Sequence, residues 1–168
     1  MLAVRPVEEV LVVGRSQERA EALVTAAGKL GLRARMAGPE AVAEADLVCT
    51  CTTSAEPLFA GSLLRPGVHV NAVGSFQPRT RELDDDTMRR ARILVETREA
   101  ALAEAGDLLI PMRAGLIEES DIIADLGEVV RGAMVRRSPE DITVFKSVGV
   151  AFEDLAVASA AFERMGSS

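Results

Sequence analysis

The stretch EEVLVVGRSQERA, residues 8–20, decides how the rest of the chain is read. An apolar strand, a glycine and then a helix start is how a dinucleotide-binding fold opens. In that opening, a glycine-rich loop lets the backbone and the helix N-terminus cradle a pyrophosphate. Here the loop is absent and Arg15 stands where its small residues would be. VLVV, residues 10–13, is therefore either a first strand without its loop or a later strand of the same fold.

Outward from this stretch the segments alternate. SQERAEALVTAAGKLG reads as a helix that Ser16 can N-cap, with Ala20, Leu23, Val24 and Ala27 at helical spacing. RARM is a short strand, followed by a brief helix from Pro39 to about Ala45. DLVCTC is a strand with TTSAEPLF as its loop, and HVNAV is a strand announced by the turn signal RPG. ELDDDTMRRA reads as a helix, ILVE as a strand and REAALAEAGD as a helix. Beyond residue 107 the pattern predicts one helix over residues 121–134, a turn at RRSPED, a strand in ITVFKSVG and a closing helix, VAFEDLAVASAAFERM.

Parallel strands need helical crossovers, and strands buried on both faces read as short continuous apolar runs. The expected fold class is α/β: a Rossmann-like, mostly parallel sheet with helices on both faces, truncated at the N-terminus. With no internal repeat and no low-complexity linker, residues 1–168 read as a single incomplete Rossmann-type domain.

Composition narrows the function. Hydrophobic residues make up 48% and charged residues 27%, a globular balance, and with no Trp, no Tyr and five Phe the core must be aliphatic. A net charge of −7 argues against nucleic-acid and anionic-membrane partners. No apolar run approaches the roughly 20 residues that span a bilayer. MLAVRPVEEV lacks the long apolar centre of a signal peptide, so the expected location is cytoplasmic. Cys49 and Cys51 read as packing residues, and the lone His69 makes a histidine-based metal site implausible.

In open α/β sheets the ligand lies beyond the carboxyl ends of the strands. Three such ends carry polar groups: GRS, CTTS and VGSFQP. In order and spacing, DLVCTCTTSAEPLF, GVHVNAVGSFQPRTRELDDDTM and VFKSVGVAFEDLAVA resemble the ornithine cyclodeaminase/mu-crystallin family. The pieces PGVHVNAVGS, P-x-x-x-EL and FKSVG-x-x-x-ED carry the resemblance, which runs from about residue 3 to residue 165.

The resemblance implies an enzyme with a substrate-binding, dimerising N-terminal domain and a Rossmann-type NAD(P) domain, of which this chain matches only the second. LAVRPVEEV is similar to the end of that domain's first helix, so VLVV corresponds to its second strand. The first strand and its glycine loop are then expected upstream of Met1. At the tip of a second strand, an acid binds the ribose 2′-OH of NAD, whereas an arginine accommodates the 2′-phosphate of NADP. Arg15, Ser16 and Arg19 are therefore expected to bind the cofactor, with NADP favoured over NAD.

By the same resemblance, Cys51, Thr52 and Thr53 line the nucleotide cleft and Val73 lies near the nicotinamide side. Ser147 and Gly149 close the cleft from the C-terminal strand, and Glu153 and Asp154 read as structural residues of a helix start. Cyclodeaminase and alanine dehydrogenase members carry an aspartate, proposed to act in proton transfer, two residues before the proline of the SFQP loop. Here that position is Phe76; mu-crystallin-like and imine-reductase-like members also lack the aspartate, so the loop resembles theirs more closely, and no catalytic residue is assigned.

Without the central strand, two inner sheet edges lack partners, which invites a homo-oligomer or pairing with a chain that carries the missing half. Without the glycine loop, charge-assisted bonds worth about 1.5–3 kcal/mol each are lost, so cofactor binding by this chain alone should be weak. Three readings follow. The chain is the nucleotide portion of an imine reductase or cyclodeaminase acting on a small imino or amino acid, and inactive alone. It is a non-catalytic, crystallin-like binder of a dinucleotide or small ligand. Or it is a decayed reading frame.

Overall fold

The structure is a computed structural model and describes residues 4–166. The start of LAVRPVEEV lies outside the described residues, and residues 4–8 form a turn and irregular chain rather than a helix. The fold divides after Ala45 into two compact units.

The first unit is built from β1 (Glu9–Val12), α1 (Gln17–Lys29), β2 (Arg33–Met36) and a 3-10 turn over Pro39–Glu44. Ser16 stays extended, and its hydroxyl accepts the Arg19 amide at 3.4 Å, which starts α1 at the expected residue. Ala20 and Ala27, on one helical face, are the helix's buried residues. The helix ends where Gly31 takes φ of 80°, a conformation that glycine adopts without strain. β1 and β2 pair in parallel from Glu9↔Arg33 to Val12↔Met36.

The second unit contains β3 (Leu47–Thr50), β4 (His69–Ala72), α2 (Asp85–Arg90), β5 (Arg92–Val95), α3 (Arg98–Glu104) and α4 (Gly106–Arg113). It continues with β6 (Ile122–Asp125), α5 (Leu126–Val130), β7 (Thr143–Lys146) and α6 (Ala151–Gly166). Its strands form one parallel sheet in the order β3-β4-β7-β5-β6. The last strand in sequence thus becomes the middle of the sheet. Val70, Ala72, Ile93, Val95 and Val144 are fully buried there, an aliphatic core as the composition requires.

Three sequence expectations are corrected. Residues 121–134 are not one helix: IIAD pairs with β5 as a strand, and the helix begins only at Leu126. Adjacent β-branched Ile122 and Ile123 favour the strand, and Asp125 with Glu128 forms a reciprocal capping box that fixes the later start. REAALAEAGD does not run through as one helix, because Ala105 is extended and α4 begins afresh at Gly106. Cys49 and Cys51 are exposed rather than packed. Residues two apart on a strand share a face, but Cys51 lies beyond the end of β3.

Among the described residues β1 is hydrogen-bonded to β2 alone, and β3 to β4 alone. No described helix is long and apolar enough to cross a membrane.

Candidate functional site

In the first unit, the chain leaves β1 through Gly14, Arg15 and Ser16 into the N-terminus of α1. A cleft of about 330 Å³ opens here, lined by Val12, Gly14, Arg15, Ser16, Arg19 and Leu23 among others. Both arginines are exposed, and neither is paired with a carboxylate among the described residues. The first-turn amides and the helix dipole add to the same positive end. Chemically, such an end favours an anion.

In the second unit, the loops after β3, β4 and β7 are each held by a buried acid. Glu82 is fully buried, and its carboxylate gathers five donors. Oε1 accepts from the Thr52 amide at 2.6 Å and the Thr52 hydroxyl at 2.8 Å. Oε2 accepts from the Thr50 hydroxyl at 2.8 Å, the Gly74 amide at 2.8 Å and the Ser75 amide at 3.2 Å. The β3 loop and the β4 loop are thereby stitched together. A Cβ on Gly74 would collide with the Thr52 backbone and the Glu82 carboxylate, so only glycine permits this approach.

A second acid anchors Glu82 itself. Asp107 Oδ1 accepts the backbone amides of Glu82 and Leu83 at 2.8 and 2.9 Å. Its Oδ2 takes no hydrogen bond by strict geometry but meets the Lys146 ammonium at 3.1 Å, with both side chains fully buried. The Lys146 ammonium also donates to the carbonyls of Ala72 at 3.0 Å and Ser75 at 2.5 Å. Charged groups at this depth are tolerable only when paired and hydrogen-bonded, and these are.

The third acid, Glu96 just past the end of β5, holds the β7 loop. It accepts from the Ser147 hydroxyl at 2.5 Å and from the Val148 and Gly149 amides at 3.0 and 2.9 Å. Gly149 has φ of 81°, the turn that presents both amides to one carboxylate. Glu153, in the first turn of α6, has its carboxyl pKa pushed up by burial and then by the charge and contact of Glu96.

The residues singled out from sequence fall into place unevenly. Arg15, Ser16 and Arg19 share one cleft. Thr52 is half-buried and its hydroxyl is committed, donating to Glu82 and accepting the Ser54 amide at 3.2 Å, whereas Thr53 is exposed. Although Cys51 is exposed as a residue, its thiol has its pKa raised first by partial burial, then by the charges of Cys49 and Glu82. Val73 and Phe76 are 41% and 53% exposed beyond the end of β4. The lone His69 faces Thr143 Oγ1 at 2.7 Å and Asn71 Oδ1 at 3.3 Å, away from these loops at the strand's start.

Sequence reasoning missed Glu82, Glu96, Asp107 and Lys146. Two signals were present: Glu82 and Lys146 stand in the motifs P-x-x-x-EL and FKSVG, and Lys146 closes the buried strand β7, where a lysine needs a buried partner.

A family model described as the ornithine cyclodeaminase/mu-crystallin family matches residues 1–168. A Delta(1)-pyrroline-2-carboxylate reductase of Bacillus cereus is 43% identical over 169 residues, covering 98% of this chain and 52% of that protein. The ketimine reductase mu-crystallin of Mus musculus is 41% identical over 160 residues, covering 95% of this chain and 48% of that protein. Among solved structures, Thermococcus litoralis Delta(1)-pyrroline-2-carboxylate reductase in complex with NADH and L-proline matches with a TM-score of 0.93 and 37% identity. That match covers 96% of this chain and 51% of the solved one. The chain spans about half the length of the relatives it matches.

Proposed function

Since the chain belongs to the ornithine cyclodeaminase/mu-crystallin family, we propose that it is the nucleotide-binding portion of an NAD(P)-dependent reductase of small cyclic imino acids. The observation that carries this reading is the set of loops at the carboxyl ends of β3, β4 and β7, each fixed by a buried acid. Ligands of open α/β sheets lie at such ends, and a rigid wall is what positions a cofactor's reactive ring. Phe76 favours imine reduction over deamination, because a phenyl ring exchanges no proton where other members carry an aspartate. The substrate class is carried over from relatives named for pyrroline carboxylate and ketimine reduction.

We assign the 2′-phosphate of NADP to Arg15, Ser16 and Arg19, where two free guanidiniums and a helix start meet in one cleft. The residues Cys51, Thr52, Thr53, Val73, Ser147 and Gly149 belong to the wall for the other end of the cofactor. A cytoplasmic setting goes with this reading, which the free thiols of Cys49 and Cys51 support.

The reading also includes a protein partner: a second copy, or a chain that carries the other half of the relatives' length. Among the described residues β1 and β3 each have one edge with no partner strand, which supports it. So does α6, where Phe152, Leu155, Val157, Phe162 and Met165 are all exposed.

Calorimetric titration of the chain with NADPH and NADH tests the cofactor, and mixing with the N-terminal half of a relative tests the activity. NADPH should bind about tenfold or more tighter than NADH, a difference of about 1.4 kcal/mol from one phosphate contact. Turnover of a cyclic imino acid should appear only in the mixture. Tighter NADH binding would refute the NADP assignment, and an inert mixture that still binds dinucleotide would favour a non-catalytic binding protein.

A further inference from the structure

We propose that Glu82 is a positioning residue: its buried carboxylate fixes the β3 and β4 loops as the wall against which the nicotinamide end of the cofactor is placed. The inference rests on the dinucleotide reading above and names the group on which that wall depends.

Three of the five donors to Glu82 are backbone amides, those of Thr52, Gly74 and Ser75. Each lies past the end of its strand, where the sheet ladder no longer supplies an acceptor. Thr52 N and Gly74 N belong to different loops, so one carboxylate sets the distance between them. The Gly74 backbone lies so close to Thr52 that no side chain fits between. Val73, which follows β4 directly, is left exposed on this fixed loop.

Glu82 is itself held from behind. Asp107 grips its backbone amide, and Lys146 grips Asp107 together with the carbonyls of Ala72 and Ser75. The Glu82 carbonyl accepts the Leu58 amide at 2.9 Å, tying in the far end of the β3 loop. The carboxylate is therefore a fixed post between two loops. Being fully buried, it acts through Thr52, Gly74 and Ser75 rather than by touching a ligand.

The isosteric Glu82→Gln variant keeps the shape but turns an amide NH2 toward N–H groups that need an acceptor. Hydrogen exchange of the full chain should show the amides of Thr52, Gly74 and Ser75 opening about tenfold faster, with those of Ile93 and Val144 unchanged. NADPH should bind about tenfold more weakly, while 2′,5′-ADP, which lacks the nicotinamide half, should bind within about twofold of wild type. Unchanged exchange at the three amides overturns the proposal. So does an equal loss for NADPH and 2′,5′-ADP, which would mark a general loss of fold.

If Glu82→Gln does not fold, Gly74→Ala gives the same test by pushing the loops apart, and must reproduce the split between the two ligands. Should wild type bind neither ligand, the dinucleotide reading falls, and the exchange pattern alone decides whether Glu82 fixes the loops.

Discussion

The tip after β1 and the loops after β3, β4 and β7 look alike as sequence: short hydroxyl-bearing stretches at strand ends. They are held in different ways. At the first tip the arginines stand in solvent and the local order comes from a helix start that is complete within a few residues. At the other three loops the order comes from acids 7 to 53 residues away, all buried. A strand-end loop can thus be shaped by its own neighbours or by a distant charge, and only the first kind announces itself locally.

The largest expected effect is at the buried pair. Lys146→Met should destabilise the second unit by about 3–5 kcal/mol in denaturant unfolding, because Asp107 is left as an uncompensated charge. Removing both charges with Lys146→Met and Asp107→Leu should recover part of that loss. A single variant as stable as wild type would show that the pair carries nothing. A smaller effect separates the helix starts. Asp84→Ala should cost about 1–2 kcal/mol, and Ser16→Ala about 0.5 kcal/mol, its single bond being long.

Asp84 adds a pH signature. Burial alone would raise its carboxyl pKa, but bonds from Gly61 and Thr87 and the nearby Arg81 charge hold it below the usual value. A depressed folded-state pKa gives stability that is present above the ordinary value near 3.8 and is lost as pH falls through the folded value. The acid limb of the wild-type stability curve should therefore be steeper than that of Asp84→Asn. Parallel curves would remove Asp84 as its cause. The smallest structural effect belongs to the exposed tip. Arg15→Ala should leave stability within about 0.5 kcal/mol of wild type while removing any preference for NADPH over NADH.

Much of the fold was legible in the sequence, for reasons that lie close together in the chain. RARM, HVNAV and ILVE read as strands because short runs sit between turn signals, and Ser16 marked a helix start to the residue. IIADLGEVV misled because an apolar run of that length fits a helix as well as a strand. The capping pair Asp125 and Glu128 within it would have divided it correctly. The site was legible only on its outer side. Hydroxyls and glycines at strand ends could be seen, while the acids behind them, Glu82, Glu96 and Asp107, read as the ends of ordinary elements.

The α/β class, the parallel strands, the aliphatic core and the family could all be read without coordinates, since periodicity, turn residues and motif order are properties of neighbouring residues. What required the folded chain was the entry of β7 into the middle of the sheet, which brings Lys146 to Asp107. The same holds for Glu82 and Glu96 as internal acceptors. The reason is physical: a carboxylate's role depends on which amides it meets once water is excluded, and those amides come from loops that sequence distance does not relate.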